Sequence, residues 1–208
     1  MIITWFGQSY FKIQGDKSIL VTDPFDKNIG LKAPRSAADI VAISHGQTDP
    51  SQLVKGLTSP EPFTINEPGE YEVKGTFIYG VASTENGTQN NVAYRIEMDL
   101  ITIGYLGAIN RQLTSKEVEK FEGVDILIIP VGGRDSIDAK KAGEIISQLE
   151  PRIVIPMRYK LKGLKANFDS LDQFCKEIGV CPTDTVPKLK ITKKDLPAEE
   201  MKIIIMQP

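Results

Sequence analysis

A chain of 208 residues with 41% hydrophobic and 25% charged residues has ordinary globular proportions, long enough for a sizeable core. Its formal net charge of −2 and pI near 5.6 give no basis for a nucleic-acid or anionic-membrane partner. The sequence opens without a secretory signal pattern and contains no apolar run approaching the ~20 residues of a bilayer span, so a cytoplasmic protein is expected.

In chain order, residues 2–6, 10–13, 18–22 and 40–44 read as closely spaced strands, with Gly15 and Asp16 in the first turn. A second group follows Pro60 and Pro62, at 63–65, 71–73, 76–79, 92–97 and 100–104, the last two joined through Met98 and Asp99. Two groups of hairpins suggest two stacked sheets. Helical periodicity comes late: at 115–121, on the face formed by Ala142, Ile145, Ile146 and Leu149, and from Leu171 onward with Asp169 or Ser170 as cap. Apolar strands at 126–129 and 153–155 alternate with these helices, and 203–206 reads as a final strand. Patterning alone supports one mixed α/β or α+β domain over residues 1–208.

Two cysteines suggest no disulfide framework. Cys175 shares a helix face with Leu171, Phe174 and Ile178 and reads as core, while Cys181 precedes a proline in a turn. Lysines in 188–194 are followed by Asp195, Glu199 and Glu200, which suits a solvated strand face better than a binding patch. Glu70 and Glu72 alternate with Tyr71 and Val73, as on an exposed strand face. The stretch 130–136, with Gly132, Gly133 and Arg134 after a buried strand, offers either an anion site of backbone N–H groups or a plain turn into a helix.

The most informative stretch is 40–51, where an apolar strand ends at Ser44 and a polar loop follows with His45, the only histidine, then Gln47 and Asp49. Side chains at alternate positions of a tight loop beyond a strand can converge on one point, as metal ligands must. Only His45 and Asp49 are strong ligands; Gln47 offers an amide oxygen and Pro50 nothing. A lone histidine is more often a hydrogen-bonded structural residue.

This loop resembles the His-x-His-x-Asp-His motif of the metallo-β-lactamase fold hydrolases. Further stretches at 3–9, 23–26, 68–73, 105–107, 130–133 and 155–159 fall in the order of a bacterial branch related to ascorbate-phosphate lactonase. The resemblance implies an α+β, four-layer αββα sandwich of two mixed sheets, with a cleft at one sheet edge where loops bearing 45–50, 85, 108 and 158 meet. In that family zinc would be held at the positions of His45, Gln47 and Glu85, at those of Asp49, Pro50 and Arg158, and by a bridging aspartate where Ala108 stands. Five of these seven positions carry replacements, so no metal cofactor is expected. Arg158, permanently charged, opposes a dication and is expected to fill the cleft and pair with Asp49, Glu85 or both; the alternative is an arginine pointing to solvent. Asp23, after the strand at 18–22, matches an aspartate that supports the metal loop through hydrogen bonds, and Gln8 stands where many relatives carry histidine.

The expectation is therefore a pseudo-hydrolase that acts by binding a small anionic ligand near Arg158 and Arg134, or a protein partner, with a homo-oligomer or a pairing with a competent relative left open. The alternative is a hydrolase of a lactone or phosphorylated small molecule using a reduced site, with His45 and Asp49 as candidate catalytic residues.

Overall fold

The computed structural model describes residues 1–25, 27–32, 34–46, 57, 61–85, 88–180 and 182–208. Gln47, Asp49, Pro50 and Cys181 therefore lie outside the described residues, as does the side chain of Glu85.

Strands β1 (Ile2–Trp5), β2 (Phe11–Gln14), β3 (Ile19–Thr22), β4 (Ile40–Ala42), β5 (Phe63–Ile65) and β13 (Leu189–Lys190) form a six-stranded sheet in the order β13-β1-β2-β3-β4-β5. The second sheet has seven strands, β6 (Gly69–Val73), β7 (Thr76–Glu85), β8 (Thr88–Met98), β9 (Ile101–Tyr105), β10 (Ile126–Pro130), β11 (Ile153–Met157) and β14 (Lys202–Ile203). Its order is β14-β11-β10-β9-β8-β7-β6, and β12 (Thr185–Val186) with β15 (Ile205–Met206) makes a two-stranded ladder. Both large sheets are mixed: β3, β4 and β5 run parallel, as do β9, β10, β11 and β14, while the remaining pairings are antiparallel. The α+β fold of two mixed sheets is as expected.

Period-two alternation sorts the apolar residues between layers. Ile3, Trp5, Phe11, Ile13, Leu20, Ile40 and Ala42 enter a main core that continues through Tyr94, Ile96, Ile103 and Tyr105 of the second sheet. Val21, Val41 and Ile43 point the other way, into a smaller cluster with Tyr10 and Ala38 that Phe6, Phe25 and Leu57 cover. Three α-helices among the described residues follow the second hairpin group: α1 (Ser115–Lys120), α2 (Ala139–Leu149) and α3 (Leu171–Ile178). Helix α1 opens with a capping box of Thr114 and Glu117, and α2 buries Ala142, Ile145, Ile146 and Leu149, the face its spacing predicted.

Several expectations change in detail. β7 and β8 run far past their apolar segments, so Glu85 ends a strand rather than standing in a loop; the backbone ladder continues through a register shift between Ser83 and Thr84. The C-terminal apolar run splits into β14, paired with β11, and β15, paired with β12. Ser170 is the α3 N-cap residue, while the Asp169 N–H goes to the Gly132 carbonyl. Cys175 is buried as expected yet disulfide-bonded, contrary to the reading of an uncrosslinked pair. The 130–136 stretch is a plain turn: the Gly133 N–H donates to the Ile137 carbonyl and the Ser136 N–H to that of Gly133.

Candidate functional site

The functional side chains follow the C-terminal ends of five parallel-running strands. Asp23 comes directly after β3 and Arg158 directly after β11; His45 lies beyond β4, Ala108 beyond β9 and Asp135 beyond β10. Two strands of one sheet and three of the other thus aim their terminal loops at a single place, the usual location of sites in such sheets.

The residues that meet there form one hydrogen-bonded chain. Arg158 is only 5% exposed, and its Nη1 lies 3.0 Å from His45 Nε2 and donates to Ser9 Oγ at 3.0 Å. A guanidinium can only donate, so Nε2 is the acceptor and the imidazole proton sits on Nδ1. From there Nδ1 meets Ser44 Oγ at 2.7 Å, and Ser44 Oγ donates to Asp23 Oδ2 at 2.5 Å. The Ser44 N–H donates to Asp23 Oδ1 at 2.6 Å, and the Tyr105 hydroxyl lies between Asp23 Oδ2 and the Ser9 carbonyl. On its other side Arg158 Nη2 donates to Asp135 Oδ1 at 2.6 Å, and Phe168 sits beneath the guanidinium, 5.4 Å from ring centroid to Cζ.

Charge follows from these contacts. Burial pushes the Asp23 carboxyl up, but adjacent His45 and the hydrogen bonds from the Ser44 and Tyr105 hydroxyls more than offset this, so it titrates below its ordinary range. Burial, with Asp23 beside it, pushes the Tyr105 phenol well above its ordinary value. For Asp135 burial also raises, and the charge and hydrogen bond of Arg158 override it to leave the carboxyl low.

Glycine is required at one close approach. Gly107 has φ +61°, and a Cβ there would collide with Ser44 and with Asn91 Oδ1. Asn91 pins the same turn, its Nδ2 donating to the Leu106 carbonyl at 3.0 Å and its Oδ1 accepting from the Ala108 N–H at 2.8 Å. Left-handed backbone occurs at eight non-glycine positions among the described residues, and three of them are at the cleft: Gln8 (φ 49°), Asp23 (φ 36°) and Arg158 (φ 55°). Each costs about 1 kcal/mol or more, and such residues cluster where function fixes geometry.

A cavity of about 480 Å³ opens beside this chain, with Gln8, Ser9, Asp23, His45 and Arg158 on its polar side and Phe25, Ile29, Leu164 and Phe168 among its apolar walls. Two buried polar atoms in its lining residues lack partners among the described residues, Arg158 Nε and Gln8 Oε1. A buried donor or acceptor left unpaired costs roughly 1–3 kcal/mol, and more where the group is charged.

The sequence-predicted set is thus partly assembled. His45, Arg158, Asp23 and Gln8 converge, and Asp23 accepts from the Ser44 N–H and hydroxyl next to His45. Arg158 lies in the cleft rather than in solvent, and its acidic partner among the described residues is Asp135; the expected partners, Asp49 and the Glu85 side chain, lie outside the described residues. Asp135 sits on the loop the turn-or-anion-site reading covered, where its own carboxylate was passed over. Ser44, Tyr105 and Asn91 were also missed, although Tyr105 belongs to a motif quoted for the family. The described residues do not fit a divalent metal: Arg158 occupies the lone pair of His45 Nε2, three donors surround Asp23, and the Ala108 side chain has no ligating atom. No group of three His, Cys, Asp or Glu residues able to hold an ion occurs among the described residues.

A family model described as the beta-lactamase superfamily domain matches residues 2–158, from β1 to the arginine itself. The crystal structure of a Thermotoga maritima protein assigned to the Zn-dependent hydrolases of the metallo-β-lactamase superfamily superposes with a TM-score of 0.81 at 32% identity, covering 99% of this chain and 97% of that one. A metal-dependent hydrolase of Thermoplasma acidophilum is 25% identical, covering 76% of this chain and 82% of its own. The fold alone is shared with a metallo hydrolase of Ignicoccus hospitalis, at a TM-score of 0.61 and 15% identity over 92% of this chain and 99% of that one. No helix among the described residues is long and apolar enough to cross a membrane.

Proposed function

Since the chain belongs to the metallo-β-lactamase superfamily, whose named relatives here are metal-dependent hydrolases, we propose that it is a member whose cleft binds a small anionic ligand without metal-assisted hydrolysis. The carrying observation is Arg158 Nη1 at 3.0 Å from His45 Nε2. A fixed cation stands against the nitrogen that would ligate a metal, and a cation and a dication do not share one lone pair. What remains is a buried positive group, a hydrogen-bond acceptor and an apolar cavity, the makings of a binding site. Ser44 does not supply a nucleophile for metal-free hydrolysis, because its hydroxyl is buried and committed to Asp23 and His45.

The test is metal analysis of untagged protein, with thermal unfolding recorded in added zinc, manganese and iron. Ligands of the native state must raise the melting temperature by mass action. We expect no bound metal and no shift; near-stoichiometric metal, or a stabilisation that His45→Ala removes, overturns the reading.

A second reading, a hydrolase with a reduced metal site, is favoured by the names of the relatives. It requires Arg158 to leave His45 and needs donors from Asp49 and Glu85. His45→Ala separates the two: hydrolysis is lost under the second reading, and ligand binding is largely kept under the first.

A further inference from the structure

Building on the reading of a metal-free anion cleft, we infer that its ligand is a small monocarboxylate with an apolar body, whose carboxylate competes with Asp135 for one edge of Arg158. The hydrogens of Arg158 identify the edge. Nη1 serves Ser9 and His45, Nη2 serves one oxygen of Asp135, and buried Nε has no acceptor among the described residues. Nε and Nη2 project from the same side of a guanidinium, the side that a carboxylate meets with two parallel hydrogen bonds. Asp135 therefore half-fills a bidentate site.

The two partners of that ion pair differ in what holds them. The Asp135 side chain is 59% exposed and can turn to water, whereas that of Arg158 is 7% exposed and fixed by Ser9, His45 and Phe168. An arriving carboxylate can thus displace one and not the other. Beyond the head group, Phe25, Ile29, Leu164, Ala166 and Phe168 offer apolar walls.

Charge selects against a dianion. Arg158 is the one cation among the described lining residues, His45 accepts at Nε2, and Asp23 already contributes a carboxylate to the same cavity. A phosphate monoester would bring a second negative charge, and the further cation nearby, Arg134, stacks on Phe168 at 5.7 Å from the ring centroid but does not line the cavity.

The experiment is calorimetric titration of the full chain with benzoate and hexanoate, against phenyl phosphate and benzyl alcohol, on wild type, Asp135→Asn and Arg158→Gln. Expected are binding of a carboxylate, at least about tenfold preference over phenyl phosphate, and no binding of benzyl alcohol. Asp135→Asn should tighten carboxylate binding about fivefold by removing the internal competitor, and Arg158→Gln should abolish it. Phenyl phosphate or benzyl alcohol binding as well as the carboxylates overturns the inference, as does unchanged or weaker carboxylate binding in Asp135→Asn. If Arg158→Gln does not fold, the exposed Asp135 variant still decides. Failure of both carboxylates at millimolar concentration, with the metal scans blank, removes this inference alone; metal binding in those scans removes the reading beneath it.

Discussion

At the N-terminal ends of the parallel strands, the two sheets hold their carboxylates with the same parts. Asp39, just before β4, exchanges two hydrogen bonds with Ile19 of β3 and takes Lys74 Nζ at 2.5 Å. Asp125, just before β10, exchanges two with Thr102 of β9 and takes Lys193 Nζ at 2.8 and 2.9 Å. At the C-terminal ends Asp23 has no lysine: its ring of donors is a backbone N–H and the hydroxyls of Ser44 and Tyr105. A lysine on a surface loop balances charge where nothing else is asked of the end. In the cleft the cation is a buried arginine that pairs with Asp135 and has one donor unpaired among the described residues, while left-handed backbone occurs at both ends, at Lys74 as well as at Gln8, Asp23 and Arg158. One end serves stability and the other keeps polar capacity in reserve.

The sharpest way to break this contrast is Asp23→Ala. It strands the Ser44 N–H in a buried site and takes the acceptor from the Ser44 hydroxyl, while the Tyr105 hydroxyl keeps the Ser9 carbonyl, and should cost about 3–5 kcal/mol. At ~2–4 °C per kcal/mol for a chain of this size, thermal unfolding should move down by on the order of 10 °C. Asp125→Ala, which loses one buried backbone donor and leaves a lysine that can reach water, should cost about 2 kcal/mol by the same measurement. Equal costs would show that the two ends are built alike.

That contrast also marks how far the sequence could be read. Asp23, His45 and Arg158 were legible because each directly follows or closely trails an apolar strand, and strand ends are local features. Asp135 as the partner of Arg158 was not, since it depends on β10 lying beside β11 and on a left-handed turn at Arg134 that aims the loop back. Ser44 and Tyr105 look like strand residues in the sequence; their hydroxyls matter only because β4 of one sheet faces β9 of the other across the core. The long reach of β7 and β8 was hidden for another reason. A ladder of backbone hydrogen bonds can continue where apolar alternation stops, and Thr88, Gln89, Asn90 and Asn91 carry no such alternation.

Acidification should sharpen the comparison at intermediate size. Asp23 and Asp135 titrate below their ordinary range in the folded protein, so each contributes stability that is complete above the unfolded carboxyl value near pH 4 and is lost as pH falls through the folded value. Denaturant midpoints measured from neutral pH downward should stay level and then drop below about pH 4. In Asp135→Asn the drop should be only slightly shallower, because that side chain is 59% exposed and its pair is screened. A curve that falls from neutral pH would remove these two carboxylates as its cause.

The smallest effect should come from the lysines. Their side chains are 58% exposed at Lys74 and 49% at Lys193, so each ion pair forms in near-aqueous dielectric and loses side-chain entropy on forming. Lys74→Ala and Lys193→Ala should each cost about 0.5 kcal/mol or less by denaturant titration, with most of that effect gone at high salt. The carboxylates they leave behind keep their backbone partners, Ile19 and Thr102. Asp23 is itself the acceptor for the Ser44 N–H and for the Ser44 and Tyr105 hydroxyls, so removing it acts on groups inside the protein. A lysine variant costing as much as Asp23→Ala would mean that these clamps, and not the backbone exchange beside them, fix the register of the parallel strands.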